Sequence, residues 1–252
     1  MANSAKIVES SLAGHKKSQK IGFLYITGHG IPKSVIDNAR NNAMNFFHLS
    51  ETKKKQVNLH GVHRGWLGPN RATMDKSMKA DLKESFIWGA EIPKEESVNN
   101  HYAYGKNKWP ISLPNLKDHS LDFFQQTNSV ARQLLRGFAI SLGLKDNFFT
   151  SDEVQALTRA SYVYYPTQSE RMGEDQFGVG PHTDFGVLTV LSQDHIGGLQ
   201  VLDLNGDWVH APPIEDTLVV NVGDLLSRWT DGIFRSTPHR VVNRSGKERL
   251  SL

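Results

Sequence analysis

The chain has 252 residues, of which 38% are hydrophobic, so it can bury the core of a globular protein. It contains no cysteine, which excludes disulfides, thiolate metal sites and a cysteine nucleophile, and leaves histidines and carboxylates as candidate metal ligands. The net charge is only +3, and the lysines alternate with acidic residues without interleaved aromatic ones, so we expect solvated faces and no nucleic-acid partner. Lys83, between Asp81 and Glu84, belongs to one such face.

No stretch of the sequence approaches the about 20 apolar residues of a membrane span, and no signal-peptide core is present. We therefore expect a cytoplasmic protein without a membrane partner.

The first half of the chain predicts helices and short strands. Apolar residues recur with helical spacing over the long helix near the middle of the chain, and Gly143 is placed to end it. A glycine-rich loop precedes that helix, and we expect three of its residues, Arg64, Trp66 and Arg71, to face a substrate. The predicted elements are a loose helix in 1–20, a strand at 21–27, a helix at 34–47, a strand at 81–89, a helix at 120–142 and a short helix starting at 151–153.

From residue 161 onward the pattern changes to short strands separated by turns. Such strands predict an antiparallel double-sheet jelly roll, also called a double-stranded β-helix. The predicted fold is therefore mainly β with flanking helices, with a jelly-roll core and an N-terminal α/β segment. We expect residues 1–115 to form the N-terminal segment, packed on a core of residues 116–252, in a single compact unit. The predicted strands are 161–165, 187–192, 199–202, 207–210, 217–222 and 240–242.

His182 and Asp184 are the first candidate site residues. They stand two positions apart, and side chains at positions i and i+2 of a strand share a face, while Thr183 would point away. His239, which lies 55 positions after Asp184, is the candidate third ligand. Two histidines and one carboxylate on one face of an octahedron, with the other positions open, suit non-haem Fe(II) and O₂. The alternative is a hydrogen-bonded His182–Asp184 pair without a metal.

A second pair of candidate site residues lies near the end of the chain. Arg249 and Ser251 are also two positions apart, and on a strand they would present a guanidinium and a hydroxyl together. That combination can hold a carboxylate, because the planar guanidinium binds two oxygens at once. The alternative is a surface arginine at the rim of the barrel.

Taken together, these segments form an ordered set of motifs. The set resembles the Fe(II)/2-oxoglutarate-dependent dioxygenases of the isopenicillin N synthase-like branch, and the segments 22–32 and 81–89 resemble the N-terminal part of the same branch. The motifs are His182-Thr183-Asp184, Gly197-Gly198-Leu199-Gln200-Val201, Asn221-Val222-Gly223-Asp224, His239-Arg240-Val241 and Arg249-x-Ser251.

The resemblance implies a function and a role for each site residue. His182, Asp184 and His239 would bind Fe(II), and Arg249 with Ser251 would bind the far carboxylate of 2-oxoglutarate. Tyr165 matches the position whose hydroxyl commonly completes that pocket. O₂ would be the second co-substrate, and a small organic substrate would be oxidised, in the first place hydroxylated, with release of succinate and CO₂. Family members continue beyond the Arg-x-Ser strand with a C-terminal helix, so we expect this chain to be incomplete at its C-terminus.

Two other functions stay open on the sequence alone. One is an iron oxidase of the same branch that does not use 2-oxoglutarate. The other is a metal-free jelly-roll binding module. No motif specifies the substrate, the choice between hydroxylation and other oxidations such as desaturation or cyclisation, or the oligomeric state.

Overall fold

The computed structural model describes residues 6–8, 21–60, 63–69, 80–91, 105–151, 157–168 and 176–252. Packing divides the chain into two compact units, the first formed by residues 1–30, 67–85 and 163–252, and the second by residues 31–66 and 86–162. These units interleave along the chain, whereas the predicted division after residue 115 is sequential and stays a prediction. The elements are β1 Lys6–Val8, β2 Phe23–Thr27, α1 Lys33–Phe47, α2 Glu51–Lys55, β3 Gly65–Leu67, β4 Glu84–Gly89, α3 Pro114–Ser141, β5 Arg159–Tyr165, β6 Val179–His182, β7 Leu188–Leu191, β8 Leu199–Leu202, β9 Trp208–His210, β10 Leu218–Val222, α4 Asp224–Trp229, β11 His239–Val241 and β12 Arg249–Ser251.

The first unit contains two antiparallel four-stranded sheets. Their strand orders are β1-β2-β10-β7 and β6-β11-β8-β9. The central strand β10 is buried along its whole length, as its apolar composition predicts, and it pairs with both β2 and β7. The jelly-roll prediction is confirmed. The apolar core of this unit consists of Phe23, Tyr25, Tyr165, Val179, Leu199, Val201, Ala211, Val219 and Val241.

The last strand of the chain, β12, lies in the same unit. It pairs antiparallel with the end of β5, so that Arg249 is opposite Tyr165 and Ser251 is opposite Val163. Backbone hydrogen bonds between Leu252 and Ser192 in both directions attach its end to the residue that follows β7. The Arg-x-Ser segment is therefore a fixed part of the barrel.

The second unit is built on helices and aromatic side chains. Phe46 of α1 packs on Phe86 with 4.7 Å between ring centroids, and Trp88 packs on Tyr162 at 4.2 Å. The Tyr162 hydroxyl, buried with this cluster, donates a 2.8 Å hydrogen bond to Ser120 of α3. The remaining four-stranded sheet of the described residues has the strand order β12-β5-β4-β3.

Several predicted elements need correction. Residues 6–8 form a strand paired with β2, where the sequence predicted a helix over 1–20. Helix α3 begins at Pro114, six residues before its predicted start, because proline is well tolerated at the first position of a helix, where no backbone N–H is needed. Its end is as predicted: Gly143 has φ of +71°, the left-handed conformation that follows a helix C-terminus. Strand β6 and the short helix α4 were not predicted, and the helix start at 151–153 lies almost entirely outside the described residues.

Among the described residues, no helix is both long enough and apolar enough to cross a membrane.

Candidate metal centre

His182, Asp184 and His239 come together at the ends of two neighbouring strands. His182 is the last residue of β6 and His239 is the first residue of β11, and the two are direct partners in the antiparallel register. Paired residues of neighbouring strands project on the same face, which places the two imidazoles side by side. Asp184 lies in the turn after β6, so the expectation that it shares a strand with His182 is wrong.

The distances within this cluster are those of a site that can hold one metal ion. Asp184 Oδ1 is 3.8 Å from His182 Nε2 and 3.7 Å from His239 Nε2, and the two imidazole centroids are 4.3 Å apart. One candidate ligand atom from each residue lies within 4.8 Å of the others, and in the described part of the chain no other group of three His or carboxylate residues does so. Metal–ligand bonds of about 2.1 Å hold neighbouring ligands about 3 Å apart, so a small inward rotation of the side chains fits them to an ion.

The two imidazoles are held by backbone carbonyls, each from the residue two positions earlier. His182 Nδ1 lies 2.8 Å from the carbonyl oxygen of Gly180, and His239 Nδ1 lies 3.1 Å from that of Thr237. A carbonyl only accepts, so each Nδ1 carries the proton and donates it. In a neutral imidazole held in this way, Nε2 keeps its lone pair directed to the cluster, which is how protein surroundings prepare histidine as a ligand.

Asp184 is oriented through its other oxygen. Its Oδ2 accepts hydrogen bonds from Thr189 Oγ1 at 2.6 Å and Asn221 Nδ2 at 2.8 Å, which leaves Oδ1 facing the imidazoles. Burial raises the pKa of Asp184, but His239, the two hydrogen bonds and His182 together outweigh burial, and the pKa lies below its ordinary value. Burial also lowers the pKa of His182. The carboxylate is therefore charged and His182 is neutral, the forms in which both groups bind a metal.

The turn that carries Asp184 is packed tightly against the start of α4. Asp224 donates its backbone N–H to the carbonyl of Asp184 at 2.7 Å, and its side chain accepts a 3.2 Å hydrogen bond from Thr183. A Cβ on Gly223 would come within 2.1 Å of the Gly186 carbonyl oxygen, so only glycine permits this approach. Through these contacts Asp224 orders the turn that carries Asp184.

The second predicted site pair is buried. Arg249 is only 1% exposed, and its Nη1 donates to Ser251 Oγ at 3.3 Å while its Nε donates to the carbonyl of Gly197. Its guanidinium carbon lies 4.6 Å from the centroid of the Tyr165 ring, a cation–π contact. The structure thus brings Arg249, Ser251 and Tyr165 together, and the interpretation of Arg249 as a surface arginine is wrong.

Sequence reasoning missed three groups near the site. Asn221 and Thr189 were not given roles, although an amide inside an otherwise apolar strand, as Asn221 is, could have marked it as a candidate. Asp194 is the third group, because its Oδ2 accepts the N–H of Leu250 at 2.6 Å and so helps to fix β12.

The face assigned to Asp81, Lys83 and Glu84 was also misjudged. Asp81 and Glu84 are buried, and the Lys83 side chain is only 10% exposed and forms an ion pair with Asp81 at 3.3 Å. Alternating charge alone did not distinguish this buried pair from a solvated face. Arg64 and Trp66, expected to face a substrate, are 2% and 3% exposed, and Arg71 lies outside the described residues.

Comparison with known proteins identifies the class. Residues 154–252 match the family model of the 2OG-Fe(II) oxygenase superfamily, and residues 15–112 match that of the N-terminal region of non-haem dioxygenases in morphine synthesis. The 2-oxoglutarate-Fe(II) type oxidoreductase hxnY of Emericella nidulans is 32% identical over 240 residues, which cover 92% of this chain and 69% of that protein. Homoarginine-6-hydroxylase 2-ODD-C23 of Glycine max is 31% identical over 263 residues, 100% of this chain and 78% of that protein. The chain belongs to the 2OG-Fe(II) oxygenase superfamily.

A solved structure supports the same assignment. A full-length protein of Neurospora crassa, crystallised in complex with alpha-KG (2-oxoglutarate), superposes with a TM-score of 0.81 and 31% identity over 92% of this chain and 74% of that one. The protein is therefore an Fe(II)- and 2-oxoglutarate-dependent oxidoreductase with O₂ as the usual co-substrate. Of the alternatives left open by the sequence, the metal-free binding module is excluded, and the comparisons do not support an oxidase that dispenses with 2-oxoglutarate.

Proposed function

We propose that this oxygenase hydroxylates a small organic substrate at an iron centre formed by His182, Asp184 and His239. One observation carries the assignment of the ligands. Three potential ligand atoms, two Nε2 and Asp184 Oδ1, face one another, while the second polar atom of each side chain is held by a hydrogen bond. When bound there, Fe(II) with O₂ and 2-oxoglutarate supplies the oxidation of an otherwise unreactive C–H bond.

The protein's contribution to that chemistry is to hold the ligands in one protonation state and one orientation. Neutral His182 and charged Asp184 bind a dication without first releasing a proton, and the carboxylate offsets part of the metal's charge. Three protein ligands also leave half of an octahedral coordination sphere for exogenous ligands. This arrangement favours a catalytic centre over a structural metal site, whose coordination is usually closed by protein.

Arg249 and Ser251 are proposed to bind the distal carboxylate of 2-oxoglutarate. The guanidinium is buried and, in the described part of the chain, no carboxylate pairs with it, so a bound anion would compensate its charge. Two of its five N–H groups are used by Gly197 and Ser251, which leaves three for a carboxylate. Tyr165 contributes its ring face to the guanidinium, and its hydroxyl is the group we propose to complete the pocket.

Hydroxylation is the outcome we propose for the substrate. One similar enzyme, from Glycine max, is named as a hydroxylase of a small amino acid, homoarginine. That name supports a small organic molecule and insertion of one oxygen atom, but it does not transfer homoarginine itself to this chain, because substrate specificity depends on individual side chains and not on the fold.

The test is a substrate screen with ¹⁸O₂. The protein, loaded with Fe(II) and supplied with 2-oxoglutarate, is incubated with a panel of small molecules, and succinate formation is measured. We expect one compound to stimulate succinate release and to gain one labelled oxygen atom, and we expect no such stimulation in His182→Ala or His239→Ala. A product that has instead lost two hydrogens would refute hydroxylation.

A further inference from the structure

The segment before β4 is attached to residues that precede β6 by several hydrogen bonds. Gln176 Nε2 donates to the carbonyl of Ala80 at 3.0 Å, and Leu82 donates its N–H to the carbonyl of Phe177 at 3.1 Å. Gln168 Nε2 adds a 3.3 Å hydrogen bond to the Leu82 carbonyl. Residues 80–83 therefore lie along the stretch of chain that leads to the proposed iron ligand His182.

The ladder between β6 and β11 is irregular just before that ligand. The register shifts between His239 and Val241, so that two residues of β6, Gly180 and Pro181, face one residue of β11. Pro181 has no N–H, and the Gly180 N–H is donated to Asp81 Oδ1 at 3.0 Å, inside the protein. Asp81 thus replaces the ladder contact that the irregularity removes.

Gly180 is linked to the ligand through its other backbone group. Its carbonyl accepts the Nδ1–H of His182 at 2.8 Å, the hydrogen bond that sets the orientation and tautomer of that imidazole. Asp81 therefore holds the residue on whose carbonyl the His182 ring depends.

Lys83 makes this arrangement possible for a buried carboxylate. Asp81 is 3% exposed, and its Oδ2 has no hydrogen-bond donor among the described residues. The Lys83 ammonium lies 3.3 Å from that oxygen, and its side chain is 10% exposed. A buried charge needs such a partner, because burial takes away the bulk water that would otherwise stabilise it.

We propose that Asp81, with Lys83 as its counter-ion, is a positioning residue for His182. The proposal rests on the function proposed above for His182. Asp81 does not contact the metal, and its effect passes through Gly180 alone.

Two paired variants of the full chain separate the hydrogen bond from the charge. Asp81→Asn/Lys83→Met and Asp81→Leu/Lys83→Met both remove the two charges and have side chains of similar size at residue 81. They differ in whether an oxygen remains to accept the Gly180 N–H. Anaerobic titration with Fe(II) gives the Kd of each. We expect the Asn pair to bind within about threefold of the wild type, and the Leu pair to bind about tenfold or more weakly, since the partners of ligating residues typically change metal affinity by about 10- to 100-fold.

A second readout does not need iron. In the metal-free protein, ¹⁵N signals of the His182 imidazole report which nitrogen carries the proton. We expect the Nδ1–H form in the wild type and the Asn pair, and a mixture of both tautomers in the Leu pair. This measurement tests the proposal even if the wild type binds no Fe(II), a result that would refute the iron-ligand assignment instead.

Equal Fe(II) affinity and equal tautomer ratios in the two paired variants would overturn the proposal. An Asn pair as impaired as the Leu pair would do the same, because the charge and not the hydrogen bond would then matter. If the Leu pair does not fold, Asp81→Ala/Lys83→Met replaces it. Failure of both to fold, with a folded Asn pair, would assign the contact to folding and also overturn the positioning role.

Discussion

Replacing Arg249 by lysine tests the proposed 2-oxoglutarate pocket most closely. The substitution keeps a positive charge but removes the planar fork that can bind both oxygens of one carboxylate. Arg249 is buried, and two of its N–H groups are already donated to Gly197 and Ser251. Lysine offers a single point of contact from the same position, so one charge-assisted hydrogen bond to the co-substrate is lost.

The size of the effect follows from that count. A hydrogen bond to a charged group contributes about 1.5–3 kcal/mol. Since about 1.4 kcal/mol corresponds to a tenfold change in an equilibrium constant, the Kd for 2-oxoglutarate should rise by roughly 10- to 150-fold. Ser251→Ala removes only a neutral hydroxyl, for which about 0.5–1.5 kcal/mol is expected, a rise of roughly two- to twelvefold.

The assay is an anaerobic titration of 2-oxoglutarate into the Fe(II)-loaded protein, followed by the charge-transfer absorption of the complex. The Kd for Fe(II) is measured in parallel. It should stay unchanged, because Arg249 donates its described hydrogen bonds to Gly197 and Ser251 and not to a proposed metal ligand. A Kd for 2-oxoglutarate within twofold of the wild type in Arg249→Lys would refute the role given to this residue.

Two further predictions concern the metal ligands. Asn221→Ala removes one of the two hydrogen bonds that orient Asp184, and we expect Fe(II) affinity to fall about 10-fold or more. Asn243→Ala, which removes a buried amide elsewhere, is the control. An equal loss of Fe(II) affinity in both variants would contradict the expectation. The second prediction concerns the metal-free protein, in which burial lowers the pKa of His182 below its ordinary value of 6.5. Just below pH 6.5 the unfolded chain therefore binds a proton at this residue that the folded chain does not. The free energy of unfolding should fall as the pH drops through this range. Urea unfolding in the presence of a chelator should show that the free energy of unfolding falls more between pH 7.5 and pH 5.5 for the wild type than for His182→Gln. An equal fall in both proteins would contradict the contribution assigned to His182.

The spacing of residues predicted some contacts well and others for the wrong reason. Arg249 and Ser251 do share the face of one strand, as the two-residue period requires, and their side chains are in contact. His182 and Asp184 have the same spacing, but β6 ends at His182 and the carboxylate reaches the site from a turn. That Asp184 would join the histidines at one site was predictable from the residue types. The position of its carboxylate depends on the packing of that turn against α4.

Strand β6 escaped prediction because its sequence, Val-Gly-Pro-His, lacks the alternating apolar residues of a half-buried strand. Its place is decided by long-range partners, since β11 supplies the ladder and Asp81 accepts the N–H of Gly180 from a segment about 100 positions earlier. No local pattern contains that information. The burial of Asp81 with Lys83 is likewise a property of the tertiary fold.

The hydrogen bonds to Asp184 show the same limit. Asn221 lies on β10 and Thr189 on β7, two neighbouring strands in which these residues are direct partners. Their amide and hydroxyl meet the same carboxylate oxygen only because the register aligns them. A motif can mark Asn221 as a candidate, but only the register assigns its partner.

The central claim is that two imidazoles and one carboxylate bind a single Fe(II), and anaerobic Fe(II) titration of His239→Ala tests it most directly. His195→Ala, which removes an exposed histidine from a turn, is the matched control. We predict one tightly bound equivalent of Fe(II) in the wild type and in the control, and loss of that binding in His239→Ala. Tight binding of one equivalent by His239→Ala would contradict the metal centre described here.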